Sequence, residues 1–168
     1  MSQREGRHRQ PLYDAQQRAR RDATAWTLVQ GILAPLQFLV FLVSLALVLR
    51  TLATDEGAFA ANASIVAKTG LLYAIMVTGS IWEKVVFGRY LFAPAFYWED
   101  MVSMLVLALH SAYLVALATG WLETTGLMLL ALAAYGSYAI NATQFLLKLR
   151  AARLEAGPAS RLAAEGAR

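Results

Sequence analysis

Cysteine is absent from the 168 residues, so disulfides, thiolate nucleophiles, iron–sulfur clusters and cysteine-built zinc sites are excluded. Histidine is scarce: His8 and His110 are too few for a metal site made of several imidazoles. Charge is scarce too. Only 15% of residues are Asp, Glu, Lys or Arg, against roughly 25% in a soluble domain. A chain of this length, enough for one domain, needs a wide polar surface in water, yet 58% of it is hydrophobic. These shortages point to a membrane protein.

The charges that exist mark out the apolar spans. No charged residue falls between Asp22 and Arg50, between Asp100 and Glu123, or between Glu123 and Lys148. Each gap exceeds the roughly 20 apolar residues that a spanning helix needs. Helices are predicted at about 26–49, 98–119 and 124–147. The second span is different, because its uncharged run from Thr69 to Trp82 has only 14 residues. A span over about 64–87 must therefore take in Lys68, or Glu83 with Lys84, or all three. Lys68 can snorkel to an interface. Glu83 has a shorter reach and is the more informative charge.

The predicted fold is an all-α membrane protein, a bundle of four transmembrane helices over 26–150. A basic tail (1–25) precedes it and a disordered tail (151–168), marked by Gly157 and Pro158, follows it. Thirteen of the 15 basic residues fall in the two tails and in the connection between spans two and three. The positive-inside rule then places both termini in the cytoplasm. The N-terminus does not read as a cleavable signal, because its apolar run is too long and Asp14 and Asp22 interrupt the basic region. Arg20-Arg21 also lacks the surroundings of a twin-arginine signal. The basic tails suit an anionic leaflet. No recognition motif accompanies them, so no nucleic-acid partner is expected. No internal repeat is evident.

Polar side chains inside spans are costly and need a partner or a purpose. His110 lies ten residues past Asp100, about 15 Å into a core roughly 30 Å thick. Gln37 and Thr78 reach similar depth. Gln30, Gln37 and Ser44 recur every seven residues on the first span. Ser137, Asn141, Gln144 and Lys148 form one stripe on the fourth. Glu99, Ser103 and His110 share a face of the third. Facing inward, these stripes make a polar seam, which serves equally well as hydrogen-bonded glue between helices. A bis-histidine haem is excluded, since His8 lies in the tail.

The richest stretch is 82–100. It holds seven of the 18 aromatic residues, the carboxylates Glu83, Glu99 and Asp100, and the cations Lys84 and Arg89. An aromatic belt with charged helix ends accounts for it. So does a cytoplasm-facing pocket for a flat, amphipathic, anionic ligand. There Trp82, Tyr90 and Trp98 would stack on its faces, and Lys84 or Arg89 would pair with its carboxylate.

Several long strings of this sequence resemble one family. They are Gln17-Arg18-Ala19-Arg20-Arg21-Asp22-Ala23, Trp26-Thr27-Leu28-Val29-Gln30-Gly31-Ile32-Leu33-Ala34-Pro35 and Gly79-Ser80-Ile81-Trp82-Glu83-Lys84-Val85-Val86-Phe87-Gly88-Arg89-Tyr90. Phe92-Ala93-Pro94-Ala95-Phe96, Trp98-Glu99-Asp100 and Asn141-Ala142-Thr143-Gln144-Phe145 continue the match. The chain resembles the 3-vinyl (also 2-vinyl) bacteriochlorophyllide hydratases from about Pro11 to Arg153, without departure inside the spans. The resemblance implies a lyase of bacteriochlorophyll biosynthesis, in the cytoplasmic or intracytoplasmic photosynthetic membrane of a bacterium. It adds water to the C3-vinyl group of chlorophyllide a or a bacteriochlorophyllide, giving a 3-(1-hydroxyethyl) group. No cofactor is implied, since the magnesium belongs to the substrate. The expected partners are that tetrapyrrole, with its one free propionate, the lipid bilayer and other pigment-biosynthesis enzymes.

Such a reaction needs an acid near the vinyl group and an ordered water. Glu83, Glu99, Asp100 and His110 are the candidates. If Lys84 or Arg89 holds the propionate at the surface, the vinyl group points inward to His110, with Gln37, Thr78 or Asn141 ordering water. If the vinyl group meets the surface acids, Glu83 with Glu99 or Asp100 does the chemistry, and His110 ligates the substrate's magnesium or simply packs. The surface acids are favoured, because two carboxyls supply acid and base in one place. A non-enzymatic tetraspan tetrapyrrole carrier is the rival class, and a small transporter or assembly factor a third.

Overall fold

A computed structural model describes residues 12–165, and side chains as far as residue 154. Arg4, Arg7, His8, Arg9 and Arg168 lie outside the described residues, as does the side chain of Arg161. The described chain is helical: α1 (Ala15–Ala23), α2 (Ala25–Thr54), α3 (Ala58–Phe87), α4 (Tyr97–Thr119) and α5 (Thr124–Glu165). Four of these helices are long and apolar enough to cross a membrane. The spans are longer than the sequence reading draws them. In particular α3 starts six residues before Ser64, and α5 continues to Glu165, through the stretch for which disorder is expected.

Local signals explain the boundaries. Asp14 caps α1 in a reciprocal capping box with Gln17. Thr24 ends α1 and caps α2 by accepting from Trp26 N–H at 3.4 Å. Gly57 and Gly88 bracket α3 with φ of +83° and +82°, a region where a Cβ would clash. Glu99 and Asp100 stand in the first turn of α4, where the helix dipole favours negative charge.

The outer faces are apolar, as lipid requires, and the interior mixes apolar side chains with hydrogen-bonded polar ones. Leu39, Val43, Val77, Val115 and Ile140 face outward. The shared interior contains Phe41 and Val48 of α2, Ile65 and Leu72 of α3, Val106 and Tyr113 of α4, and Met128 and Tyr135 of α5. Interhelical hydrogen bonds set the register. Gln30 Nε2 donates to Thr78 Oγ1 at 2.7 Å, and Ser44 Oγ lies 2.6 Å from Ser64 Oγ, so α2 and α3 run antiparallel. Asn141 Nδ2 donates to the Glu99 carbonyl at 2.8 Å, and Ser103 Oγ donates to Asn141 Oδ1 at 3.1 Å, tying α5 to α4.

The basic N-terminal segment is a docked helix. Arg20 donates to the Val86 carbonyl at 3.4 Å. Thr27 Oγ1 donates to the Arg21 carbonyl at 2.6 Å and accepts from Trp82 Nε1 at 2.9 Å, joining α1, α2 and α3. Tyr13 is buried against Val86 and Phe96, with the Arg21 guanidinium 4.9 Å from its ring centre. Burial pushes the Tyr13 phenol above its ordinary range, against the pull of Arg21.

Candidate functional site

Glu83 ends α3, Asp100 begins α4, and the loop from Gly88 to Phe96 closes over both. Ala93 N–H donates to Glu83 Oε2 at 3.2 Å, and Phe92 N–H donates to Asp100 Oδ2 at 2.7 Å. Two adjacent backbone amides thus hold two carboxyl groups from different helices. The two amides are consecutive, so the two carboxyls are held near each other. Both residues are nearly closed off, at 5% and 4% exposure. Carboxyl groups held near each other and away from water do not both ionise readily.

The loop is shaped for the task. Phe92 has φ of +58°, a left-handed conformation that costs a non-glycine residue roughly 1–2 kcal/mol. That conformation lets the amides of Phe92 and Ala93 reach different acids. A turn bond from Phe96 N–H to the Ala93 carbonyl at 2.8 Å fixes the far side of the loop.

Glu99 stands apart from this pair. Lys148 of α5 lies 2.5 Å from its Oε2 and also donates to the Ala95 carbonyl. The Lys148 ammonium sits 4.9 Å from the Phe96 ring centre. Asn141 and Ser103 bond the Glu99 carbonyl, so that part of the polar stripe supports the Glu99 backbone.

The aromatic residues of 82–100 divide into two groups. Trp82, Phe87 and Phe96 pack edge-on against each other, with Phe145 stacked on Phe96 and Tyr13 on Phe87. Of the three residues predicted to stack on a ligand, Trp82 belongs to this cluster. Tyr90 and Trp98, at 60% and 71% exposure, face outward instead. Lys84 Nζ donates to the Gly88 carbonyl at 3.0 Å and lies over Tyr90, and Arg89 is exposed. A shallow groove of about 360 Å³ runs along α5, lined by Ala139, Ile140, Thr143, Gln144 and Leu147. It lies on the outward face of α5, where Ala139, Ile140, Thr143 and Leu147 are exposed. Gln144 Oε1 is buried there without a partner.

His110 is fully buried, and its neighbour corrects the sequence reading. Lys68 does not snorkel; it is 0% exposed, with Nζ 3.2 Å from His110 Nε2. His110 Nδ1 lies 2.8 Å from the Val106 carbonyl, which only accepts, so Nδ1 carries the ring hydrogen. In the neutral ring Nε2 then accepts from Lys68. The snorkelling expectation fails because α3 begins at Ala58, putting Lys68 ten residues, about 15 Å, inside the helix. The uncharged run from Gly57 to Ala67 is the signal that could have shown it. Gln37 is buried with no partner for either side-chain amide atom.

The family model of the 2-vinyl bacteriochlorophyllide hydratases matches residues 13–151 of this chain. A 2-vinyl bacteriochlorophyllide hydratase of Cereibacter sphaeroides is 70% identical over 145 residues, covering 86% of this chain and 89% of the relative. One of Rhodobacter capsulatus is 66% identical over 148 residues, covering 88% and 86%. No solved structure matches the chain.

Proposed function

The chain belongs to the 2-vinyl bacteriochlorophyllide hydratase family, and we propose that its Glu83–Asp100 carboxyl pair performs the hydration. The protein is a hydro-lyase of bacteriochlorophyll biosynthesis. Water adds across the C3-vinyl group of a chlorophyllide or bacteriochlorophyllide and leaves a 3-(1-hydroxyethyl) group.

The observation that carries the assignment is the convergence of Glu83 and Asp100 on the adjacent amides of Ala93 and Phe92. The pair gives its proton to the terminal vinyl carbon, and the π electrons form the new C–H bond. The cation left on the inner carbon is delocalised into the macrocycle. Water attacks that carbon through oxygen and returns a proton to the pair, which restores the starting state. One carboxylate beside the developing cation stabilises it electrostatically. His110 is the poorer place for this step, because the neighbouring Lys68 would oppose a second positive charge. Glu99, held by Lys148, keeps the local structure instead of moving protons. Exclusion of bulk solvent protects the cation.

In this reading the four spans form a bundle in the bacterial cytoplasmic or intracytoplasmic membrane, with both termini in the cytoplasm. The basic residues at that end of the sequence support the orientation. The tetrapyrrole arrives from the bilayer along the groove of α5, and other pigment-biosynthesis enzymes deliver and collect it. The protein's own residues supply the acid and base, and no further cofactor enters.

Membranes containing only this protein, incubated with chlorophyllide a, test the reading. The red absorbance band should move to the blue as vinyl conjugation is lost, and the product should gain the mass of one water. Pigment that binds but keeps its spectrum and mass would favour a carrier.

A further inference from the structure

The hydration step leaves a second buried polar centre unused. Lys68 Nζ lies 4.0 Å from the Tyr138 ring centre, 5.2 Å from that of Tyr135 and 5.9 Å from that of Phe41. With His110 Nε2 at 3.2 Å, every close partner is neutral or aromatic. The described residues hold two ion pairs, Arg21–Asp22 and Glu99–Lys148, and Lys68 belongs to neither. An ammonium so placed keeps some cation–π attraction but lacks the anion that normally offsets burial.

Gln37 supplies the second observation. It is 2% exposed, and both Nε2 and Oε1 lack partners. The pairings Gln30–Thr78 and Ser44–Ser64 place Gln37 opposite residue 71, within one turn of Lys68. A buried lysine without an anion and a buried amide without partners thus lie at one level of the spans. A buried amide without partners costs free energy that a ligand can recover.

We propose that Lys68 and Gln37 form an intramembrane anion site that binds the free carboxylate of the tetrapyrrole substrate. His110 is a positioning residue that accepts from Lys68 and aims its ammonium. The inference rests on the hydratase reading and fixes the pose within it. The carboxylate lies deep, and the vinyl group at the other end of the macrocycle points toward Glu83 and Asp100. Asp100 and His110 are ten residues apart on α4, about 15 Å along the axis. Lys84 and Arg89 are then not the carboxylate's partners.

The test uses the full chain in nanodiscs and a chlorophyllide whose C3 group is ethyl, which cannot be hydrated, together with its methyl ester. Binding is followed by pigment fluorescence. The wild type should prefer the free acid by about 10- to 100-fold. Lys68→Met should abolish the preference, Lys68→Arg should retain part of it, and Lys84→Met and Arg89→Met should keep it. If Lys68→Met fails to fold, Gln37→Leu should still cut the preference several-fold. A wild type without preference, a Lys68→Met protein that keeps it, or a Gln37→Leu protein that keeps it overturns the proposal. So does displacement of the pigment by an equal concentration of oleate, which would make the site one for lipid carboxylates. Turnover of chlorophyllide a in the same nanodiscs tests the hydratase reading separately.

Discussion

Glu83 and Asp100 come from different helices, yet their carboxyl groups are held by consecutive backbone amides, those of Ala93 and Phe92. The loop between α3 and α4 therefore sets the separation of the two acids. A small change in its backbone should disturb the chemistry more than a change in any outward-facing side chain.

Phe92 tests that dependence. Phe92→Gly keeps the amide and suits φ of +58°. Phe92→Pro removes the N–H that Asp100 accepts and forces φ to about −65°. The glycine variant should retain most of the turnover per folded molecule, and the proline variant should lose at least about 100-fold. Initial rates normalised to bound pigment decide between them.

The Glu99–Lys148 pair should behave as structure. Glu99→Gln or Lys148→Met leaves its partner charged and poorly solvated, at about 1–3 kcal/mol of stability each. The double variant should cost less than the sum, because no charge is stranded. Thermal unfolding of the four proteins in detergent measures the coupling. Strict additivity would mean that the pair carries no stability.

Thr27 ties three helices through one hydroxyl. Thr27→Val keeps the shape but drops the bonds to the Arg21 carbonyl and Trp82 Nε1. Each bond contributes about 1 kcal/mol. The variant should free α1, seen as faster trypsin cleavage at Arg18, Arg20 and Arg21. An unchanged cleavage rate would show that Tyr13 and Arg20 suffice to hold the helix.

Three of the four spans could be read from charge-free gaps, because charge inside lipid is costly and the sequence records that directly. That 82–100 gathers rings and acids in one place was equally legible, since few segments mix so many rings with acids and cations. The inward placement of Gln37, Ser44 and Asn141 followed from helical spacing. Three features could not be read. The partnership of Glu99 with Lys148 depends on the register of α4 against α5, which hydropathy does not encode. Phe92 turns left-handed where no glycine announces it. The burial of Lys68 was masked by the general rule that a lysine near a span's end reaches water, and α3 is longer than its uncharged run suggested.

The central claim is that the acid pair at the loop, and not the deep histidine, moves the protons. Glu83→Gln, Asp100→Asn and His110→Gln should be compared in single-turnover hydration of chlorophyllide a in water enriched in oxygen-18, with bound pigment quantified beforehand. The account predicts that Glu83→Gln and Asp100→Asn bind pigment but incorporate label at least about 100-fold more slowly, while His110→Gln weakens binding and incorporates label at a near-normal rate once loaded. Full-speed labelling by both carboxyl variants, with loss of labelling in loaded His110→Gln, would contradict it and place the vinyl group at the deep centre.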